Sequence, residues 1–215
     1  CDSCIGGKVG VNNNGIKNAV GLFSIPTRVV IDLSFLATLP PREIDNGLGE
    51  MVKFACIAGP SALSAMQNNL HNLETLIRLG LFVKRAIVEV DPYDQGPRLS
   101  LNLGHTIGHA LEAVTKYEIP HGVAVALGIE VMRQAFGKCS PVFTSDYFAI
   151  LAYILERRRD SLQHILRKYR KKFNQNMDRC MRQDKKNKNG LIAIIVPDER
   201  GAMGLQYYAQ VPGIY

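Results

Sequence analysis

The chain has 215 residues, 47% hydrophobic and 21% charged, the make-up of a soluble globular protein with enough chain for a sizeable core. Its longest uncharged apolar run, residues 122–129, is far shorter than the ~20 residues of a membrane span, which excludes a transmembrane role. The net charge of +7 gathers between residues 157 and 172; without interleaved aromatics or a nucleic-acid motif, it argues for anionic small molecules and against a nucleic-acid partner.

In chain order, residues 1–33 read as strands and turns. Asn12-Asn13-Asn14-Gly15 is a turn signal, and residues 28–32 carry a short buried-strand pattern. From Ser34 the periodicity becomes helical. Pro41 sits near a first turn, and Ile44, Leu48, Met51, Val52 and Ala55 line one face of the helix that follows. Further helices are expected over 61–90, 99–116, 122–136, 145–158 and 160–182, the last with Leu162, Ile165, Leu166 and Tyr169 opposite a solvated basic face. A turn at Asn187-Lys188-Asn189-Gly190 leads into a strand at 191–196. The expected architecture is mainly α with a small β component at the two ends, packed as one compact unit.

The chain opens on Cys1, not Met, and no signal-type segment follows, so it reads as a fragment of a longer protein. Cys1, Cys4, Cys56, Cys139 and Cys180 are odd in number and scattered. They are expected as reduced thiols of a cytosolic enzyme. Gly6, Gly7 and Gly10 lack the strand–turn–helix context of a self-sufficient dinucleotide site.

Three segments carry chemistry. In residues 98–112, helical spacing puts Asn102, His105, His109 and Glu112 within an arc of about 80°, with Leu103, Ile107, Ala110, Leu111 and Val114 opposite. Gly104 and Gly108 would let a neighbouring helix approach. A solvated face favours Lys and Glu, whereas this one holds two of the chain's five histidines; an amide, two imidazoles and a carboxylate are expected to converge. His71 and His164 lack such company and read as surface residues. In the second segment, Glu50 and Lys53 lie off the apolar stripe and, taken alone, form an exposed ion pair worth a few tenths of a kcal/mol. Gly47 and Gly49 cost roughly 1 kcal/mol each relative to alanine within a helix, which points to the close approach of another backbone or a ligand. In the third, His121 begins an apolar helix, where the positive dipole end disfavours imidazolium. Metal ligand and helix cap are equal readings of it. Two histidines and one carboxylate would leave a coordination position open, as in catalytic zinc sites.

Several stretches repeat known patterns: Asp2-Ser3, Gly6-Gly7-Lys8 and Asn12; Gly15-Ile16-Lys17-Asn18; Leu39-Pro40-Pro41-Arg42-Glu43; Gly47, Glu50 and Lys53; Leu101-Asn102, Gly104-His105 and Gly108-His109; His121-Gly122; and Met181-Arg182-Gln183-Asp184-Lys185-Lys186. In this order they resemble the 3-dehydroquinate synthase family of sugar-phosphate cyclases. The resemblance implies a helical C-terminal domain of a two-domain α/β enzyme. Residues 1–33 would be the tail of the nucleotide-binding domain and 34–215 the metal- and substrate-binding domain. It implies zinc or cobalt on Glu50, His105 and His121, and NAD contacts from Asp2, Lys8 and Lys17. Around an anionic sugar-phosphate substrate it implies Asp2, Lys8, Asn18, Lys53, Lys84, Arg98, Asn102, His109 and Lys186, of which Lys53, Asn102 and His109 are catalytic. The implied reaction is the metal- and NAD-dependent cyclisation of a heptulosonate phosphate to 3-dehydroquinate with loss of phosphate, a carbon–oxygen lyase step of the shikimate pathway. A cytoplasmic homodimer is expected, with the 215-residue chain inert by itself. Val9, Asp94 and Val123 depart from the family's usual Thr, Glu and Glu, so a cyclase for another sugar phosphate is the alternative. From a different class, two histidines and a carboxylate alone would also suit a zinc-dependent hydrolase.

Overall fold

The computed structural model describes residues 2–13, 16–137, 142–184 and 186–211, with Asn12 and residues 16–19 described by backbone alone. β1 (Lys8–Asn13) and β2 (Ile16–Phe23) form an antiparallel hairpin in which Val9 faces Leu22 and Val11 faces Val20. Of the turn expected over residues 12–15, Asn12 and Asn13 belong to β1, and Asn14 and Gly15 lie outside the described residues. The buried strand expected at 28–32 does not form: these residues are non-strand, and Val29, Val30 and Ile31 are exposed. Branched side chains favour extended backbone, but a strand also needs a ladder partner for its amides.

Pro40 precedes α1 (Pro41–Ala58), whose first turn does not need the N–H that Pro41 lacks. Leu48, Met51, Val52 and Ala55 are buried and Ile44 packs against the same core, as the periodicity predicts. The helix expected over 61–90 is two, α2 (Pro60–Gln67) and α3 (Leu73–Val90). Asn72 starts the second, its Oδ1 accepting the Thr75 N–H at 3.1 Å. Asparagine side chains compete with the helix for backbone bonds, which is why the chain breaks there.

The helix expected over 99–116 begins later. Pro97–Asn102 is a 3-10 turn, Gly104 reverses the chain at φ 73°, and α4 runs only His105–Val114. α5 (His121–Phe136) is the apolar core helix expected. The predicted break near 159 is absent. α6 (Ser145–Tyr169) runs through its arginines, which are good helix formers. The chain turns instead at Lys172, φ 57°, before α7 (Phe173–Arg182). Leu162 and Ile165 are buried, whereas Leu166 is exposed. After the turn, where Asn189 and Gly190 adopt φ of 51° and 76°, β3 (Ile192–Pro197) meets the expected strand. It pairs antiparallel with β4 (Met203–Tyr208), which sequence periodicity did not reveal because its residues are nearly all half-buried.

A continuous core joins the helices to β3 and β4. α5 lies between α1 and α4, and missing side chains bring the backbones together. A Cβ on Gly49 would stand 2.0 Å from the Gly122 carbonyl oxygen, and one on Gly122 1.9 Å from that of Asn46. On the other side, a Cβ on Gly128 would stand 2.3 Å from the Gly104 carbonyl oxygen. The close approach expected at Gly49, Gly104 and Gly108 is therefore present; Gly47 faces open space. Cys56 and Cys180 are free thiols, Cys4 is half-buried, and Cys1 and Cys139 lie outside the described residues. No described helix is long and apolar enough to cross a membrane.

Candidate metal centre

The backbone contacts of α5 with α1 and α4 decide which side chains meet. α1 brings Glu50 and Lys53, α4 brings His105 and His109, and α5 brings His121 at its first position. The three imidazole centroids lie 5.2, 5.3 and 5.5 Å apart, and each ring has a nitrogen within 4.8 Å of the others. Glu50 Oε1 stands 3.3 Å from His121 Nε2 and 3.7 Å from His105 Nε2.

Hydrogen bonds fix what these atoms offer. His105 Nδ1 lies 3.1 Å from the Leu103 carbonyl, which can only accept, so Nδ1 carries the proton and Nε2 offers a lone pair. His121 Nδ1 donates likewise to Glu112 Oε2 at 2.9 Å, aiming its Nε2 at Glu50. Glu50 Oε1 is buried and makes no well-formed hydrogen bond. A buried carboxylate oxygen in that state is costly unless a cation faces it. Two imidazoles and a carboxylate are donors that suit zinc or cobalt, so these residues fit a divalent metal.

Electrostatics agree with this, with one correction. Burial would raise the Glu50 pKa, but Lys53 and the neighbouring imidazoles hold it well below the usual carboxylate range. Burial, helped by the Lys53 charge, keeps His105 well below its ordinary value and therefore neutral. Burial also lowers His121, but the Glu112 and Glu50 carboxylates outweigh it and push the pKa up to about 9. The helix N-terminus thus does not keep His121 neutral: two nearby carboxylates exceed one dipole end. Without a metal, a proton on Nε2 is the cation that faces Glu50.

Glu50 and Lys53 are not the exposed pair that their spacing alone suggests. Lys53 is 3% exposed and its Nζ lies 2.5 Å from Glu50 Oε2. The remaining predicted residues divide into groups. Lys84 Nζ donates to the Asp2 carboxylate at 2.9 Å and to its carbonyl at 2.6 Å, and Lys8 pairs with Asp94 at 2.5 Å. Arg98 is buried, donating to the Gly6 carbonyl at 2.7 Å and to that of Pro92, which ties the segment ahead of β1 to the 3-10 turn. Asn102 bonds locally to the Leu99 carbonyl at 3.1 Å; the break at Gly104 removes it from the helix face on which it was expected. Lys186 pairs with Asp184 at 2.8 Å. Lys17 and Asn18 lie on β2, their side chains outside those described. His71 and His164 are exposed, as expected. Glu112, three residues beyond His109 on α4, accepts from His121 Nδ1.

Residues 47–187 match the family described as 3-dehydroquinate synthase C-terminal, and residues 1–46 match 3-dehydroquinate synthase N-terminal. The chain belongs to the 3-dehydroquinate synthase family. The 3-dehydroquinate synthase of Alkaliphilus metalliredigens is 39% identical over 212 residues, 93% of this chain and 57% of that protein. The chain thus spans little more than half the length of that relative. Solved structures share the sugar-phosphate cyclase fold. A 2-deoxy-scyllo-inosose synthase complexed with carbaglucose-6-phosphate, NAD+ and Co2+ superposes with TM-score 0.72 at 23% identity, over 96% of this chain and 59% of that one. The 2-epi-5-epi-valiolone synthase of Streptomyces hygroscopicus, with NAD+ and Zn2+ bound, gives 0.71 at 20% identity, over 99% and 60%.

Proposed function

We propose that this chain forms the metal-binding and substrate-holding part of a 3-dehydroquinate synthase, with a divalent metal, zinc or cobalt, on Glu50, His105 and His121. Residues 1–33 would finish the nucleotide-binding domain, and 34–215 form the helical one. The observation that carries the reading is the buried Glu50 Oε1, without a well-formed hydrogen bond, facing the Nε2 atoms of His105 and His121. The three imidazoles are a competing ligand set. That set would leave Glu50 Oε1 buried with neither a ligand role nor a well-formed hydrogen bond, so His109 is assigned to the substrate. The metals, NAD+ and sugar-phosphate analogue in the solved cyclases support the same assignment of cofactors and substrate class.

The chemistry is the cyclisation of a heptulosonate phosphate to 3-dehydroquinate with loss of phosphate. The metal, when bound, supplies Lewis-acid polarisation of a substrate hydroxyl, and NAD supplies the transient oxidation. The chain's own side chains bind and orient. Lys53 beside Glu50 offers positive charge at the metal edge, His109 holds or moves a proton at its imidazole, and Asn102 orients a hydroxyl. Asp2, Lys8, Asn18, Lys84, Arg98 and Lys186 surround the substrate, the lysines and the arginine neutralising its anionic groups, with Asp2, Lys8 and Lys17 also meeting NAD. The whole protein would act as a homodimer in the cytoplasm.

Val123 gives a second reading some weight. It is fully buried two residues after His121, where dehydroquinate enzymes usually carry Glu, which favours a cyclase for another sugar phosphate. The test is phosphate release by the full-length protein with NAD and a heptulosonate phosphate. Release should stop on chelation and return with zinc or cobalt. No release under those conditions would contradict the reading; release from a different sugar phosphate alone would select the second.

A further inference from the structure

We propose that Glu112 is a positioning residue that fixes the tautomer and aim of His121 and so sets the metal affinity of the site. The proposal rests on the metal assignment above. Glu112 is buried on α4 two helical turns beyond His105, and its Oε2 lies 2.9 Å from His121 Nδ1. The same helix therefore provides one donor and supports another that comes from α5.

The backbone at His121 is already fixed. The Gly122 N–H donates to Asn46 Oδ1 at 2.6 Å, and Gly122 is packed against the carbonyl of Asn46. The ring itself is the most exposed of the group that Glu50 faces, at 35% against 12% for His105. Packing therefore restrains it less, and a rotation of its plane would turn Nε2 away from Glu50. The Glu112 carboxylate opposes that rotation: it accepts from Nδ1–H and leaves Nε2 as the lone-pair atom. His105 Nδ1–H donates the equivalent bond to the neutral Leu103 carbonyl. The anionic support at His121 additionally makes its Nε2 a stronger donor to a cation.

The test is cobalt(II) titration of the full chain, followed by visible absorption and chelator competition, for wild type, Glu112→Ala, Glu112→Gln and His121→Ala. Glu112→Ala should weaken cobalt binding by about 100-fold and alter the visible bands; Glu112→Gln, whose amide oxygen still accepts from Nδ1–H, should lose only about tenfold. Unchanged affinity and spectrum in both Glu112 variants would overturn the proposal while the wild type still binds. If Glu112→Ala does not fold, unchanged affinity in Glu112→Gln alone overturns it. A wild type that binds no cobalt overturns the metal assignment itself, a result distinguishable from the others.

Discussion

Spacing along α4 and packing across α1, α4 and α5 pick different histidines for the metal. His105 and His109, four apart on one helix, look like the chelating pair, yet Glu50 Oε1 faces His105 and His121. His121→Ala should therefore lower the metal content of purified protein sharply, and His109→Ala should keep the metal while losing turnover. Metal analysis that gave the reverse would contradict the assignment. Lys53 offers a second test, because it compensates a buried carboxylate. Removing one partner of such a pair leaves a buried charge, so Lys53→Met should destabilise the chelated protein by about 3–5 kcal/mol in denaturant titration. A loss below about 1 kcal/mol would mean that solvent reaches Glu50. The histidines were legible as chemistry because their type is uncommon on a solvated face, whereas Glu50 stood out only through the family resemblance. The partnership of Glu112 was not legible, since it depends on where α5 lands.

At the scale of elements, glycines tell which helices touch. Gly49 and Gly122 sit where a Cβ would collide with backbone, whereas Gly47 meets nothing within 4 Å. Gly49→Ala and Gly122→Ala should each cost about 3 kcal/mol or more and weaken metal binding, because overpacking here must separate α1 from α5. Gly47→Ala should be neutral or stabilise by up to about 1 kcal/mol. Equal effects at Gly47 and Gly49 by thermal unfolding would contradict this packing. Sequence periodicity located α1 and α5 well, because each has a continuous apolar stripe bounded by proline. It misplaced the breaks at Asn72, Gly104 and Lys172, since a single residue's turn conformation leaves the surrounding apolar spacing almost unchanged. The Arg28–Asp32 stretch was misread for the opposite reason: its apolar pattern is real, but no strand pairs with it in the structure.

For the whole molecule, three helices of one core meet at the proposed metal, so binding and stability are linked. Anything that binds only the folded chain stabilises it by mass action, about 4 kcal/mol at a thousandfold excess over Kd. Zinc at that excess should raise the unfolding free energy by that amount over chelated protein; no change would place the metal outside the folded site. Composition gave the class, and the family was legible from the combination of motifs, no one of which sufficed. Charge was legible only in part: of the basic run, Arg157 is paired with buried Asp45 and Lys168 with Glu118. The most direct test of the ligand set is X-ray absorption at the zinc edge of the loaded full-length protein. The account predicts two imidazoles plus oxygen donors at about 2.0–2.2 Å. A shell of three imidazoles without a carboxylate, or no bound zinc, would contradict it.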